Sequence, residues 1–371
     1  MIRRMMSVAA LAALIATGAT AASAVEWKYS SWTPPPAPNN HYGTIPLFKQ
    51  LEKDTNGTLT FQNFMGAQLF NAFTTLPGIR DGAVDAGVTV PVFNAAELKA
   101  HTTMGELQAL TRDGWSGAGA GTELVMMDCK ECIDDYAKMN ALSLGVYGGA
   151  GYFMYCSEDM NQASDLRGKK LGDGSAVFAR FAKQIGMSRI QMGPGDYLQA
   201  MQRGTVDCVV GPKEWLFALS LADVTKTIVN NVQLGVFATV SIMTVNTNSW
   251  AKLSTEHKKA ILNRMPETIA RTVNGYYENE KKGEEAARKK GVKFADFGSE
   301  WQKAWDDFAA SEPKAIAEAA KGRGAKTADE IVAMSIDALK KWEGIVDKEG
   351  KTEAGLTKAL QEHVYSKVKL Y

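Results

Sequence analysis

The sequence predicts an α/β fold of two similar lobes, and three observations carry that prediction. One short pattern occurs twice, 122 residues apart: Leu76-Pro-Gly-Ile-Arg-Asp-Gly82-Ala-Val84-Asp85 and Leu198-Gln-Ala-Met-Gln-Arg-Gly204-Thr-Val206-Asp207, each running on into apolar residues. Physically this is the last turn of a helix, a glycine where the chain leaves it at positive φ, and the start of a buried strand. Second, once an N-terminal export segment is removed, 371 minus 24 leaves 347 residues, a length that usually forms two domains. Third, residues 255–290 carry Ile261, Met265, Ile269, Val273 and Tyr276 or Tyr277 every three to four positions. That spacing predicts one helix with a single buried stripe, long enough to span both lobes.

The export segment has three parts. Arg3 and Arg4 give a basic start, Val8 to Ala16 is wholly apolar, and Ala22-Ser23-Ala24 is a small-x-small cleavage site. The apolar run is too short to cross a bilayer comfortably, and no later run reaches spanning length. Cleavage after Ala24 removes two arginines and turns a formal charge of +1 into −1. A near-neutral balance gives no support to nucleic-acid or anionic-membrane binding.

The elements follow in order. Residues 27–31 read as a first strand. Thr33-Pro-Pro-Pro-Ala-Pro is a stiff loop, because proline fixes φ and withholds its N–H. Residues 45–54 repeat at helical spacing (Ile45, Phe48, Leu51) until Thr55-Asn-Gly57 stops them, and 58–64 is a strand. Gly66 to Leu69 turns into a helix ending at Gly82, and 83–92 is the next strand. A glycine-interrupted helical region covers 104–141. Residues 144–146 and 152–157 are strands, and 165–171 is a turn and a strand. Residues 175–185 form a helix, 196–203 the second copy of the repeat helix, 206–210 its strand, and 236–246 a strand crossing back to the first lobe. Ser254 caps the long helix, and Pro266 should kink it by removing one hydrogen bond. Beyond 299 the chain is amphipathic helix with Trp301, Trp305, Phe308 and Trp342 as packing anchors.

Four cysteines in an exported chain permit two disulfides. Cys156 and Cys208 each lie in a strand-like run, and those runs, as neighbours in one sheet, would form one bridge. Cys129 and Cys132 form a C-x-x-C beside Met126 and Met127, open to three readings: a local disulfide, a redox pair or a soft-metal site.

Taken together, Thr55-Asn56-Gly57, Gly66-x-Gln68-Leu69, Asp165-Leu-x-Gly168-x-Lys170, Ala200-x-Gln202-x-Gly204-x-Val206-Asp207 and Asn246-x-x-x-Trp250-x-x-Leu253 resemble, in their order, one family. It is the extracytoplasmic solute receptor of tripartite ATP-independent periplasmic (TRAP) transporters, of the dicarboxylate-receptor type. The resemblance covers nearly the whole chain after residue 24. It implies a two-lobed periplasmic binding protein with hinge strands and a long kinked helix spanning both lobes. Lobe I would comprise 25–149 and 238–277. Lobe II would comprise 150–237 and 278–371, with the C-terminal helices packed on lobe II. It further implies a monomer without enzymatic activity or cofactor that captures a small organic acid in the cleft and hands it to a sodium-coupled membrane permease.

The departures from that family concern the ligand. The arginine that usually follows Gly-x-Lys-apolar and clamps the carboxylate falls at Gly172 here. A second common arginine falls at Tyr152, and a frequent asparagine falls near Gly211 or Pro212. Substitutes for the clamp are Arg180, or Ser175 with the free N–H groups opening its helix. Glu214 and Trp215 follow the second repeat strand, Phe93 and Asn94 the first, and Trp32 and His41 flank the proline loop. Tyr152 and Phe237 fall near the crossovers. Strand C-termini of an open α/β sheet are where ligands sit. An aromatic-rich set of this kind predicts an aromatic or otherwise bulky acid, or a cation held by Glu214 and aromatic faces. The competing class is an enzyme. The sequence has no Gly-x-Ser-x-Gly or His-Glu-x-x-His motif, and His41, His101, His257 and His363 show no metal-ligand spacing. Only a thiol–disulfide or metal-handling protein built on Cys129 and Cys132 remains as the alternative.

Overall fold

The computed structural model describes residues 24–369. The basic and apolar parts of the export segment lie outside them. The chain opens with β1 (Val25–Ser30), α1 (Ile45–Asp54), β2 (Leu59–Phe64), α2 (Thr75–Arg80) and β3 (Ala86–Thr89). Helices α3 (Lys99–Glu106), α4 (Gly114–Glu123) and α5 (Lys130–Lys138) precede strands β4 (Ala141–Ser143), β5 (Val146–Tyr147) and β6 (Tyr152–Cys156). Next come β7 (Lys170–Asp173), α6 (Ala176–Gln184), β8 (Ser188–Gln191), α7 (Tyr197–Gln202), β9 (Cys208–Pro212), α8 (Glu214–Ala218) and β10 (Thr227–Val229). The chain then runs through β11 (Val240–Asn246), α9 (Thr247–Ala251), α10 (Thr255–Lys289), β12 (Lys293–Ala295), α11 (Gly298–Gly322), α12 (Ala328–Glu349) and α13 (Glu353–Leu360).

Two sheets result. The first has the order β2-β1-β3-β11-β4, with β5 also on β11, and the second β12-β10-β6-β9-β7-β8. The duplicated motif occupies the same corner in each. Gly82 (φ 73°) ends α2 and Gly204 (φ 66°) ends α7, both in the left-handed region that a side chain would strain. Val84 and Val206 are buried behind them. The aspartate of each copy then grips the neighbouring strand. Asp85 Oδ2 accepts from Lys28 N–H at 2.8 Å and Asp207 Oδ2 from Lys170 N–H at 2.7 Å. The backbone N–H of each aspartate in turn donates to the same lysine's carbonyl at 2.9 Å. The repeat is therefore a device that fixes the register of a parallel strand pair, once per lobe.

Two extended segments join the lobes and pair with each other: Gly149 N–H donates to Phe237 O at 3.1 Å and Tyr152 N–H to Gly235 O at 3.0 Å. The third connection is α10, a single helix of 35 residues capped by Ser254, whose Oγ accepts from His257 N–H at 3.1 Å. Its expected stripe, Ile261 to Tyr276, is buried in the lobe I core, while Ala287 lies in a lobe II core. The helix runs on through Pro266. Gly283 is required for its approach to lobe II, because a Cβ there would lie 1.9 Å from Lys213 O.

The final helices differ from expectation. Trp301, Trp305 and Phe308 at the start of α11 join Phe178 and Phe181 in lobe II. Trp342 and Val346 of α12 and Leu356 of α13 instead share the lobe I core. The reason lies in α4, where Gly119 leaves room for the Trp342 ring (a Cβ would sit 2.0 Å from it) and Glu123 accepts its Nε1–H at 2.8 Å. Both possible disulfides are present. Cys156 and Cys208 are register partners of β6 and β9, and Cys129–Cys132 closes the N-terminus of α5 with both sulfurs fully buried.

Candidate functional site

A cavity of about 850 Å³, its mouth included, lies between the two sheets at the ends of β1, β3, β7 and β9. Lobe I contributes Trp32 and Thr33 after β1, Val90, Val92 and Phe93 after β3, and Gln108 from the turn following α3. The crossovers bring Tyr147, Gly149, Tyr152 and Phe237. Lobe II contributes Asp173 to Ser175 after β7, Phe178 of α6, Tyr197 of α7, and Glu214 and Trp215 after β9, while α10 supplies Tyr276.

Of the residues singled out in the sequence, Trp32, Phe93, Tyr152, Ser175, Glu214, Trp215 and Phe237 line this cavity. The other three do not. His41 is exposed, its ring edge-on to Tyr42 with centroids 4.7 Å apart. Asn94 is buried and turns back to Val90 O at 3.5 Å. Arg180 points away from the cleft to α11, where it holds Glu312 bidentately at 2.9 and 2.6 Å and Glu106 at 3.7 Å. Both acids are buried, and the guanidinium is a counter-charge shared between them. Gly172, the expected clamp position, does not line the cavity either; a Cβ there would meet Met192 Sδ at 3.0 Å and Val206 at 3.2 Å.

Among the residues that sequence reasoning missed, Tyr276 was visible only as one member of a core stripe, and Tyr197 lies inside the repeat helix. Gln108 carried no sequence signal. It reaches the cleft because its carbonyl accepts from Val236 N–H at 3.1 Å, tying its turn to a crossover segment.

The aromatic packing is specific. Trp215 lies on the backbone of β9 because residue 211 is glycine: a Cβ would sit 2.0 Å from its ring. It then meets Tyr152 and Tyr197 edge-on, with centroids 5.7 and 5.8 Å away. Gly174 plays the same part for Phe93, whose ring would be 2.4 Å from a Cβ.

Among the described residues, no lysine or arginine lines the cavity. Its two acids differ. Asp173 is engaged by Arg189 Nε at 2.8 Å and by Ser175 N–H at 2.5 Å. Burial raises its pKa to about 6, with Arg189 opposing the shift. Glu214 is 1% exposed, and its Oε2 has no hydrogen-bond partner. Burial raises its pKa to about 8, opposed only by a hydrogen bond with the Trp215 side chain. The adjacent Lys213 gives it no relief, since Nζ binds Glu284 at 2.5 Å and lies over the Phe153 ring.

Donors converge at the opposite side. No side chain caps α6, and Ser175 Oγ instead donates to Gln108 Oε1 at 3.3 Å. The first-turn N–H groups are thus left without a helical acceptor. Gln108 Nε2 and Trp32 Nε1, both buried, have no partner. This corner presents N–H donors and the positive end of a helix dipole to the cavity.

The sequence matches the family model DctP, the bacterial extracellular solute-binding proteins of family 7, over residues 31–319. No curated protein matches it. Solved structures share the fold. A marine metagenome TRAP solute-binding protein specific for aromatic acids, holding 3-hydroxybenzoate, is 22% identical over 86% of this chain and 99% of that one, with a TM-score of 0.75. A TRAP solute-binding protein from Rhodoferax ferrireducens, with copurified benzoate, is 18% identical over 87% and 99% (TM-score 0.76). One from Bordetella bronchiseptica, with mandelate, is 17% identical over 85% and 99% (TM-score 0.71).

Two outcomes follow from this electrostatic layout. Arg180→Ala leaves Glu312 buried without a partner, so urea denaturation should show a loss of about 3–5 kcal/mol. Ligand affinity should be unchanged at temperatures where the variant is folded; a selective loss of anionic ligands would return Arg180 to the site. Glu214 has its folded-state pKa raised above the ordinary carboxyl value. Its contribution is therefore full below about 4.5 and is lost as pH rises towards about 8. Calorimetry of the unliganded protein should show Glu214→Gln raising Tm relative to wild type at pH 8 but little at pH 5. Equal differences at both values would mean that this carboxyl is not held protonated.

Proposed function

Because the chain belongs to the DctP family of bacterial extracellular solute-binding proteins, we propose that its cleft captures a compact organic acid with a flat aromatic body and delivers it to a TRAP-type membrane permease. The observation that carries this reading is the wall itself. Trp32, Phe93, Tyr147, Tyr152, Phe178, Tyr197, Trp215, Phe237 and Tyr276 surround one space fed by both lobes and by α10. Aromatic faces at edge and stacking distance select a flat apolar body. The fold relatives that hold 3-hydroxybenzoate, benzoate and mandelate support the same ligand class.

The acid group binds without an arginine. The uncapped N-terminus of α6 and Gln108 Nε2 supply its hydrogen bonds, while the Ser175 hydroxyl holds Gln108 through its Oε1. Asp173 nearby is offset by Arg189 and adds little repulsion. Gln108 belongs to lobe I and α6 to lobe II, so a carboxylate bridging them binds the closed arrangement more tightly than an open one. That differential affinity is what drives closure of the hinge. The export segment places the protein in the periplasm after cleavage behind Ala24, where it acts as a monomer and without enzymatic activity. The thiol and metal alternative has no comparable support. Cys129 and Cys132 are bridged and fully buried, and no metal-binding cluster occurs among the described residues.

A ligand that binds only the folded state raises its melting temperature. Screening the protein from residue 25 onward by calorimetry should therefore give large shifts with benzoate, 3-hydroxybenzoate or mandelate and small ones with short aliphatic dicarboxylates. Trp215→Ala should weaken the best aromatic acid by about 1–2 kcal/mol. A response to succinate-like acids alone, or a Trp215→Ala variant with an intact fold and full affinity, would contradict the reading.

A further inference from the structure

Glu214 has no role in the fold that accounts for it. It is the first residue of α8, 1% exposed, at the cavity wall, with Oε2 unpartnered and no ion pair among the described residues. A buried carboxyl with one oxygen unpartnered and no counter-charge costs stability, and the neighbouring acid shows the usual remedy, since Asp173 has both an arginine and a backbone N–H. Of the four tyrosines within electrostatic reach, Tyr147, Tyr152 and Tyr276 line the cavity and Tyr155 lies behind it in the core. The polar groups of the site thus fall into two kinds: N–H donors around Ser175 and Gln108, and one unpaired acceptor acid at Glu214.

We propose that Glu214 is a specificity-determining residue that receives a protonated nitrogen on the ligand, so that the solute is a zwitterion: a flat body with a carboxylate at the α6 end and an ammonium group at the Glu214 end. The proposal rests on the reading of this cavity as the solute site. A zwitterion matches the charge of both ends, whereas a plain aromatic acid leaves Glu214 buried and unsatisfied. Aromatic faces around an acid are also the established environment for a desolvated ammonium group. A hydroxyl would satisfy one lone pair but would bring no counter-charge.

Pairing with the ammonium group releases the proton that burial keeps on Glu214 to solvent, so the pairing strengthens as pH rises towards 8 and is lost again where the ligand amine itself deprotonates. The other groups around it do not compete. Tyr147, Tyr152, Tyr155 and Tyr276 all have raised pKa values, Lys213 is held by Glu280 and Glu284 of α10, and Asp173 is paired to Arg189.

The test is titration calorimetry at pH 8 with benzoate, 3-(aminomethyl)benzoate and benzylamine, on wild type and Glu214→Gln. The glutamine keeps the side-chain shape and removes the charge. Wild type should bind 3-(aminomethyl)benzoate at least about tenfold more tightly than benzoate, the size expected of a paired charge in a desolvated site. In Glu214→Gln that preference should vanish while benzoate binds no more weakly than before. Equal affinity of wild type for the two acids, or a preference that survives in Glu214→Gln, overturns the proposal and leaves the aromatic-acid reading standing. Benzylamine binding that depends on Glu214, with no binding of benzoate, supports Glu214 as the ammonium site and overturns the acid end. Binding of none of the three overturns both.

Discussion

In each lobe one aspartate accepts a backbone N–H from the strand beside it: Asp85 from Lys28, and Asp207 from Lys170. This contact fixes where β1 lies against β3 and where β7 lies against β9. A slip of one residue would reverse every side chain between the two faces of a strand. With the register fixed, Trp32 and Thr33 leave the end of β1, and Asp173 to Ser175 the end of β7, on facing sides of one cleft. The glycine ahead of each aspartate is part of the same device, because the chain reaches the strand only by leaving its helix at positive φ. α10 then holds the two lobes in one molecule by burying its first turns in one core and Ala287 in the other.

The cleft that results is unusual in where its charges are placed. Arg180 and Arg189 of lobe II are both committed to buried acids, Arg180 to Glu312 and Glu106, and Arg189 to Asp173. Each removal would leave a carboxylate without its counter-charge, so neither arginine is free to meet a ligand. In the proposed site, recognition falls to neutral donors, a helix N-terminus and Glu214, set within an aromatic wall. Such a site discriminates by the cost of leaving its own polar groups unpaired. That makes Gln108 Nε2 and Glu214 Oε2 informative about the shape of the solute.

Much of this was legible in the sequence because the signals were local. The Gly-x-Val-Asp corners, the capped stripe of α10 and the strand pairing of Cys156 with Cys208 each depend on a few consecutive residues and a known periodicity. The aromatic residues of the cavity wall were legible for a related reason: Trp32, Phe93 and Trp215 follow strands at the end where α/β sheets place ligands. What failed depended on distant partners. Arg180 looks the same in sequence whether it faces the cleft or Glu312, which lies 132 residues away. Gln108 enters the site through a backbone contact with Val236, which no spacing encodes. The docking of α12 on lobe I turns on Gly119 making room for Trp342.

The central claim is that a carboxylate can be held in this cleft without an arginine. A crystal structure of the complex with 3-hydroxybenzoate tests it most directly. The carboxylate should lie within hydrogen-bond reach of Gln108 Nε2 and the first-turn N–H groups of α6, with the ring against Trp215. A carboxylate bound instead by Arg180 or Arg189 after rearrangement of their ion pairs, or a ligand seated outside the cleft, would contradict it.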